Sequence, residues 1–218
     1  MPSSRTRPTG VPEPGAGPPT RRRGRPGYDL ETLLDTTVEV FNRKGFDGTS
    51  MEDLSQRLGI SKSAIYHHVS SKNQLLDIAV SRALDGLGAA MAHTKELDAT
   101  AVERLEYLIR ASVRVLVERK QFVTLLLRVR GNTEVERRAL ARRRAFDQYA
   151  ASLVAAAEAE GAVRPDIDPA VTARLLFGMV NSLIEWARPV SGDDVDTLAD
   201  AVWALAFAGM RVQDRPAG

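Results

Sequence analysis

Between Ser61 and Ser70 the sequence SKSAIYHHVS sorts two kinds of side chain at helical spacing. Ile65 and Val69, four residues apart, share one side of the turn, while Lys62, Ser63, Tyr66 and His67 fall elsewhere on it. An ammonium, a hydroxyl, a phenol and an imidazole on one short helix supply donors and acceptors suited to base edges and phosphates in a DNA major groove. Lys62, Ser63, Tyr66 and His67 are therefore the candidate reading set, with His68 beside them for a phosphate. The two histidines cannot hold one metal ion together, because adjacent helix positions point about 100° apart. By residue type Tyr66 could equally be a core tyrosine. Its spacing from Lys62, and an apolar side already supplied by Ile65 and Val69, place it outward. Catalytic patterns are not legible: there is no Gly-x-Ser-x-Gly elbow, phosphate-cradling loop, metal pair or acid–base constellation. Gly86-Leu87-Gly88 lacks the strand that a dinucleotide fingerprint requires. An enzyme is the poorer reading, and no cofactor is expected.

Three helices have to position that face. Asp29 caps the first, which runs to about Lys44 with Leu30, Leu33, Leu34, Thr37, Val38 and Phe41 on its inward side, and Gly45 ends it. Phe46 can fold back over this end. Thr49, with Glu52 three residues on, reads as a capping box for the second helix, whose Met51, Leu54 and Leu58 share a face. Gly59 stops that helix through a left-handed residue, Ile60 plugs the corner, and Ser61 caps the reading helix. Ser71 with Gln74 repeats the capping-box pattern and opens a longer helix, whose far end Gly86 and Gly88 should weaken. Lys72 sits in its first turn, where free N–H groups themselves attract phosphate. Thr49 and Lys72 thus join His68 as candidate phosphate contacts.

The stretch GISKSAIYHHVSSKNQLL closely resembles the recognition helix and following linker of the TetR family of one-component transcriptional regulators. The family's usual pattern is G-V-S-K-x-x-(L/I)-Y-x-(H/Y)-F-x-(S/N)-K-x-x-L, and Val69 stands where phenylalanine is usual, a smaller core plug. The likeness covers residues 29–76; beyond them it rests on helical pattern. It implies an all-α chain of about nine helices: a three-helix helix-turn-helix DNA-binding domain over 29–75, then a helical-bundle ligand-binding and dimerisation domain over 76–213. It also implies a homodimer joined through the last two helices. Such a regulator, with repression the expected mode, binds a palindromic double-stranded operator and leaves it when a small molecule enters the C-terminal domain.

Composition agrees with that class. The 218 residues hold no apolar run of the ~18 needed to cross a bilayer, and no secretory leader is visible, so a soluble cytoplasmic protein is expected. There is no cysteine, and the three histidines have no partners for zinc, so no metal site is expected. The net charge of +2 is uneven: residues 1–28 hold six arginines and one glutamate, which puts +5 there and −3 on the remainder. Those residues also contain seven of the eleven prolines and almost no large apolar side chain, so 1–28 reads as a disordered basic arm. Within it Arg23-Gly24-Arg25-Pro26 resembles an AT-hook, whose arginines lie in a narrow minor groove, and Arg23 and Arg25 become DNA candidates. A generic basic tail is the plainer alternative. Residues 214–218 read as a disordered tail.

From Thr100 onward only helical periods are seen, roughly 101–118, 121–130, 133–160, 169–188 and 194–212. Gly161 ends the third of these, Asp168-Pro169 begins the fourth and Pro189 closes it. Arg137, Arg138, Arg142, Arg143 and Arg144 gather on the 133–160 helix. Such a run is usually a solvated face, yet its spacings can also bracket phosphates, which makes Arg142 and Arg143 candidate ligand contacts. The helix ending at Arg188 is apolar nearly all round but carries Arg174, Asn181, Ser182, Glu185 and Trp186, polar groups that need a ligand or a partner subunit. Asn181, Glu185 and Trp186 are accordingly ligand candidates, while Gly178 and Ser182 suit close helix approach at the dimer contact that the resemblance implies. The segment EWARPVSGDD further resembles the W-x-(R/K)-P-x-G end of the penultimate helix in TetR members that respond to acyl-coenzyme A thioesters. The expected effector is a small hydrophobic molecule, an acyl- or aryl-coenzyme A among the candidates. A non-specific architectural DNA binder is the competing reading.

Overall fold

The computed structural model describes residues 29–187 and 192–211. Among these residues the chain forms nine helices and no strand: α1 Leu30–Lys44, α2 Met51–Leu58, α3 Lys62–Tyr66, α4 Lys72–Glu96, α5 Ala101–Glu118, α6 Lys120–Arg128, α7 Glu134–Ala159, α8 Pro169–Trp186 and α9 Gly192–Met210. An isolated bridge pairs Val163 with Arg211. The arm residues Arg23 and Arg25, the tail 214–218, and Arg188 and Pro189 of the W-x-R-P motif lie outside the described residues.

Most helix ends follow local chemistry. Asp29 accepts from the Thr32 N–H at 2.8 Å, Ser61 accepts from the Ala64 N–H at 3.2 Å, and Gly59 at φ 66° takes the left-handed conformation that lets α2 stop. The α2 cap lies one residue later than the spacing predicts. Ser50 and Asp53 form the reciprocal box, with Ser50 N–H donating to Asp53 at 2.8 Å and Asp53 N–H donating to Ser50 Oγ at 3.1 Å. Lys44 also reaches Asp53 at 2.5 Å, and these bonds hold the Asp53 carboxyl far below the ordinary carboxylate pKa. Nor do Gly86 and Gly88 weaken α4, which runs on to Glu96. A Cβ at Gly86 would stand 2.9 Å from a Val115 methyl, so glycine there lets α4 and α5 approach closely.

One continuous apolar core runs through the described helices. In its N-terminal part Leu33, Leu34, Leu54 and Ile65 are fully buried, so α1 and α2 form the platform on which α3 sits. Further along, α4, α5, α7 and α8 pack side by side, α9 lies along α5, and α6 bridges α1 and α4. Asn42 of α1 donates to the Gln121 carbonyl of α6 at 2.9 Å, and Arg128 of α6 donates back to the Asn42 carbonyl. The three-helix unit is thereby tied to the rest of the chain by more than its linker.

Candidate DNA-reading face and ligand cavity

Helix α3 has only five residues, too short for its own hydrogen bonds to hold it, so burial must aim it. Ile65 and Val69 are 0% and 3% exposed, and with them fixed inward Lys62, Ser63, Tyr66, His67 and His68 all face solvent. Tyr66 is 49% exposed, which excludes the core-tyrosine alternative. Ser63 Oγ lies 3.2 Å from the capping Ser61 Oγ, and the Lys62 ammonium pairs with Glu52 of α2. The sequence-predicted reading set therefore forms one exposed surface.

Two candidate phosphate contacts face the other way. Thr49 is buried, with its hydroxyl donating to the Gly45 carbonyl at 2.7 Å, so its side chain closes the α1–α2 turn. The Lys72 ammonium donates to the Phe46 and Thr49 carbonyls at 2.8 and 2.7 Å and rests 4.3 Å from the Phe46 ring centroid. Both carbonyls belong to the connection after α1; that of Phe46 also accepts from the Thr49 N–H at 3.2 Å, and the lysine adds a charged donor to each. Thr49 and Lys72 hold the platform in shape.

The arginines of α7 divide by direction. Arg138 pairs with Asp77 at 3.2 Å and Arg142 with Asp85 at 2.6 Å, both on α4, while Arg137 pairs with Glu134 on its own helix. Arg143 and Arg144 instead turn toward α8 and, with Asp147, Arg174, Phe177, Gly178 and Asn181, line a cavity of about 490 Å³. A deeper recess of about 50 Å³ continues inward between Leu116, Leu126, Phe146, Phe177 and Val180. Arg143, Asp147, Phe177 and Asn181 line both spaces. The protein surrounding Asp147 raises its pKa by displacing water, against the opposing pull of Arg143 and Arg174.

Of the ligand candidates, Arg143 and Asn181 thus reach the cavity, and the other three do not. Arg142 is engaged with Asp85 on the far side of α7. Glu185 and Trp186 stand exposed at the end of α8, Trp186 at 60%, and line neither space. Asp147 and Phe177 are cavity residues that the sequence reading did not single out, whereas Arg144 and Arg174 were named with the arginine run and with the polar groups of the apolar helix. A second exposed surface lies beside the cavity: Val171, Leu175 and Leu205 are 45%, 65% and 73% exposed, an apolar face on α8 and α9.

Residues 33–78 match the family described as bacterial regulatory proteins, tetR family, and residues 98–210, over half of the chain, match the tetracyclin repressor-like C-terminal domain. The chain belongs to the TetR family of transcriptional regulators. It is similar to the crystal structure of SCO3833, a TetR member from Streptomyces coelicolor A3, at 53% identity and TM-score 0.78, covering 84% of this chain and 92% of that one. The transcriptional repressor KstR2 of Rhodococcus jostii is 25% identical over 207 residues, 86% of this chain and 93% of the relative. AibR, crystallised with isovaleryl coenzyme A and operator DNA, is 25% identical with TM-score 0.67, covering 81% of this chain and 97% of that one. As a TetR regulator the chain binds DNA through a helix-turn-helix. Among the described residues no helix is long and apolar enough to cross a membrane.

Proposed function

We propose that this TetR regulator works as a homodimeric repressor of a palindromic operator and is released from it by a small effector, of which an acyl- or aryl-coenzyme A thioester is the leading class. The observation that carries the reading is the pairing, in one chain, of an outward polar recognition helix with a lined cavity beyond it. Residues 29–75 would serve as the DNA-binding unit and 76–213 as the ligand-binding and dimerisation unit. Lys62, Ser63 and His67 are assigned to base edges in the groove and Tyr66 and His68 to phosphates beside it, with Arg23 and Arg25 of the arm in the flanking minor groove.

A single five-residue helix reads few base pairs, so two copies are needed to specify a site. The exposed Leu175 and Leu205 on α8 and α9 supply a self-complementary apolar face for that pairing. AibR, bound to a short acyl thioester and to its operator, supports the effector class. Binding can lower operator affinity only by favouring a conformer whose recognition helices are wrongly spaced, and a coupling of about 1–3 kcal/mol corresponds to roughly 5–150-fold.

The test combines operator mobility shifts with sedimentation. Ser63→Ala should change preference among single-base operator variants, whereas Tyr66→Phe should weaken all of them alike. Leu175→Arg with Leu205→Arg should yield a folded monomer with operator affinity near that for random DNA. A double variant that stays dimeric at micromolar concentration, or a wild type that binds random DNA as well as its operator, defeats the proposal.

A further inference from the structure

We infer that the α7–α8 cavity takes a small amphipathic anion, its charge held between Arg143 and Arg174 and its short apolar end seated beneath Phe177 against Phe146. The inference rests on reading this cavity as the effector site and adds the chemical class of what fills it.

On the α4 side of α7, Arg138 and Arg142 each meet a carboxylate, which is how a surface arginine row is ordinarily neutralised. On the cavity side Arg143 donates only to the Leu126 carbonyl, at 3.4 Å, and neither Arg144 nor Arg174 has an ion pair among the described residues. Among the described residues Asp147 is the one carboxylate that lines the space with them. Three guanidiniums and one carboxylate leave a surplus of two positive charges around one opening. Such a surplus fits a guest bearing one or two negative charges, and guanidinium binds carboxylate or phosphate oxygens in two parallel hydrogen bonds.

The cavity's size limits the other end of the guest. At about 490 Å³ the outer space falls within the usual range for small-molecule sites. The inner recess, at about 50 Å³, is a third of a cavity of ~150 Å³ that accommodates benzene, so it suits an end group on the order of two to four carbons. Two aromatic rings line it: Phe146 and Phe177 meet edge to face, 5.0 Å between centroids at 81°. Phe177 lines both spaces, as do Arg143, Asp147 and Asn181, and beyond them the recess is walled by Leu116, Leu126, Phe146 and Val180. A polar mouth and a mainly apolar inner wall thus lie in series, and the small inner volume disfavours a long hydrocarbon tail.

The anion could be the carboxylate of a free acid or the phosphates of a coenzyme A thioester. Calorimetric titration of the full chain with pentanoate, butyryl-coenzyme A, palmitoyl-coenzyme A and coenzyme A alone separates these sources. Pentanoate or butyryl-coenzyme A should bind, with palmitoyl-coenzyme A and coenzyme A alone each at least ~10-fold weaker. Arg143→Met and Arg174→Met should each cost roughly 10–100-fold, the loss expected of a charge-assisted hydrogen bond. Arg174→Lys should recover part of that loss, and Arg142→Met, whose partner is Asp85, should change nothing. Phe177→Ala should move the preference toward longer tails. Failure of both short probes at millimolar concentration, equal binding of the palmitoyl thioester, or indifference to both methionine variants would overturn the inference. Adding operator DNA keeps the two readings apart. Tight, arginine-dependent binding without operator release defeats the regulatory proposal and leaves the site, whereas release by a ligand indifferent to these arginines does the reverse.

Discussion

The reading face comes from neighbouring residues, Lys62 to His68, aimed by one five-residue helix whose inward side chains are buried in a platform immediately upstream. The cavity mouth is assembled from α7 and α8, whose Arg143 and Arg174 meet only because two long helices present particular sides to each other. In the first region a change at one residue acts where it stands. In the second, the surface offered to a ligand depends on how α7 is turned about its own axis, and the Arg138–Asp77 and Arg142–Asp85 pairs to α4 lie on the side away from the cavity. The two regions nevertheless share a continuous core and the α1–α6 hydrogen bonds at Asn42.

The strongest way to test that separation is Ile65→Ala. Ile65 is fully buried and anchors a helix with few bonds of its own, so its truncation should cost about 2–5 kcal/mol in the N-terminal unit. Operator binding should be lost at room temperature while titration of the cavity with a short acyl probe is unchanged. Parallel loss of both would mean that the two regions unfold as one cooperative unit, and thermal unfolding followed by two probes would then show a single transition.

A smaller effect bears on where the sequence misled. Caps and i, i+4 spacings are set by neighbours, which is why α1, α3 and the outward set on α3 were legible. Thr49 and Lys72 turn inward although both are polar residues at a helix entrance, and composition does not reveal that the Gly45 carbonyl takes the threonine hydroxyl and the Phe46 and Thr49 carbonyls take the lysine. Arg142 failed for a related reason: its pairing with Asp85 depends on the packing of α4 against α7, which no local pattern encodes. Glu185 and Trp186 were chosen as polar groups on an apolar helix, a pattern that does not distinguish its inward side from its exposed end, where both stand. Lys72→Ala should therefore lower stability by about 1–3 kcal/mol, the cost of leaving carbonyls without a charged donor. The log–log salt dependence of operator binding should stay unchanged; a fall of about 0.9 in slope would restore Lys72 as a phosphate contact.

The smallest expected effect is confined to the cavity. Asp147 has a raised pKa because the protein around it displaces water, even though Arg143 and Arg174 pull the other way. A carboxyl whose folded pKa exceeds its unfolded value binds more protons when folded, so stability falls as pH rises through the window between the two values. At neutral pH the ionised group then opposes folding. Asp147→Asn should consequently raise the melting temperature slightly at pH 7, with the gain shrinking as pH falls toward ~4, the ordinary range for an aspartate. The same substitution removes the only negative charge lining the mouth among the described residues, so an anionic probe should bind more tightly, not less. If Asp147→Asn instead weakened anion binding, the carboxylate would have to be fixing the arginines in place, and the surplus of positive charge would not be what selects the ligand. Measuring melting temperature and affinity on the same protein across that pH range distinguishes the two roles, because desolvation predicts a loss of stability with rising pH in the wild type that the non-titrating variant lacks, together with tighter anion binding by the variant.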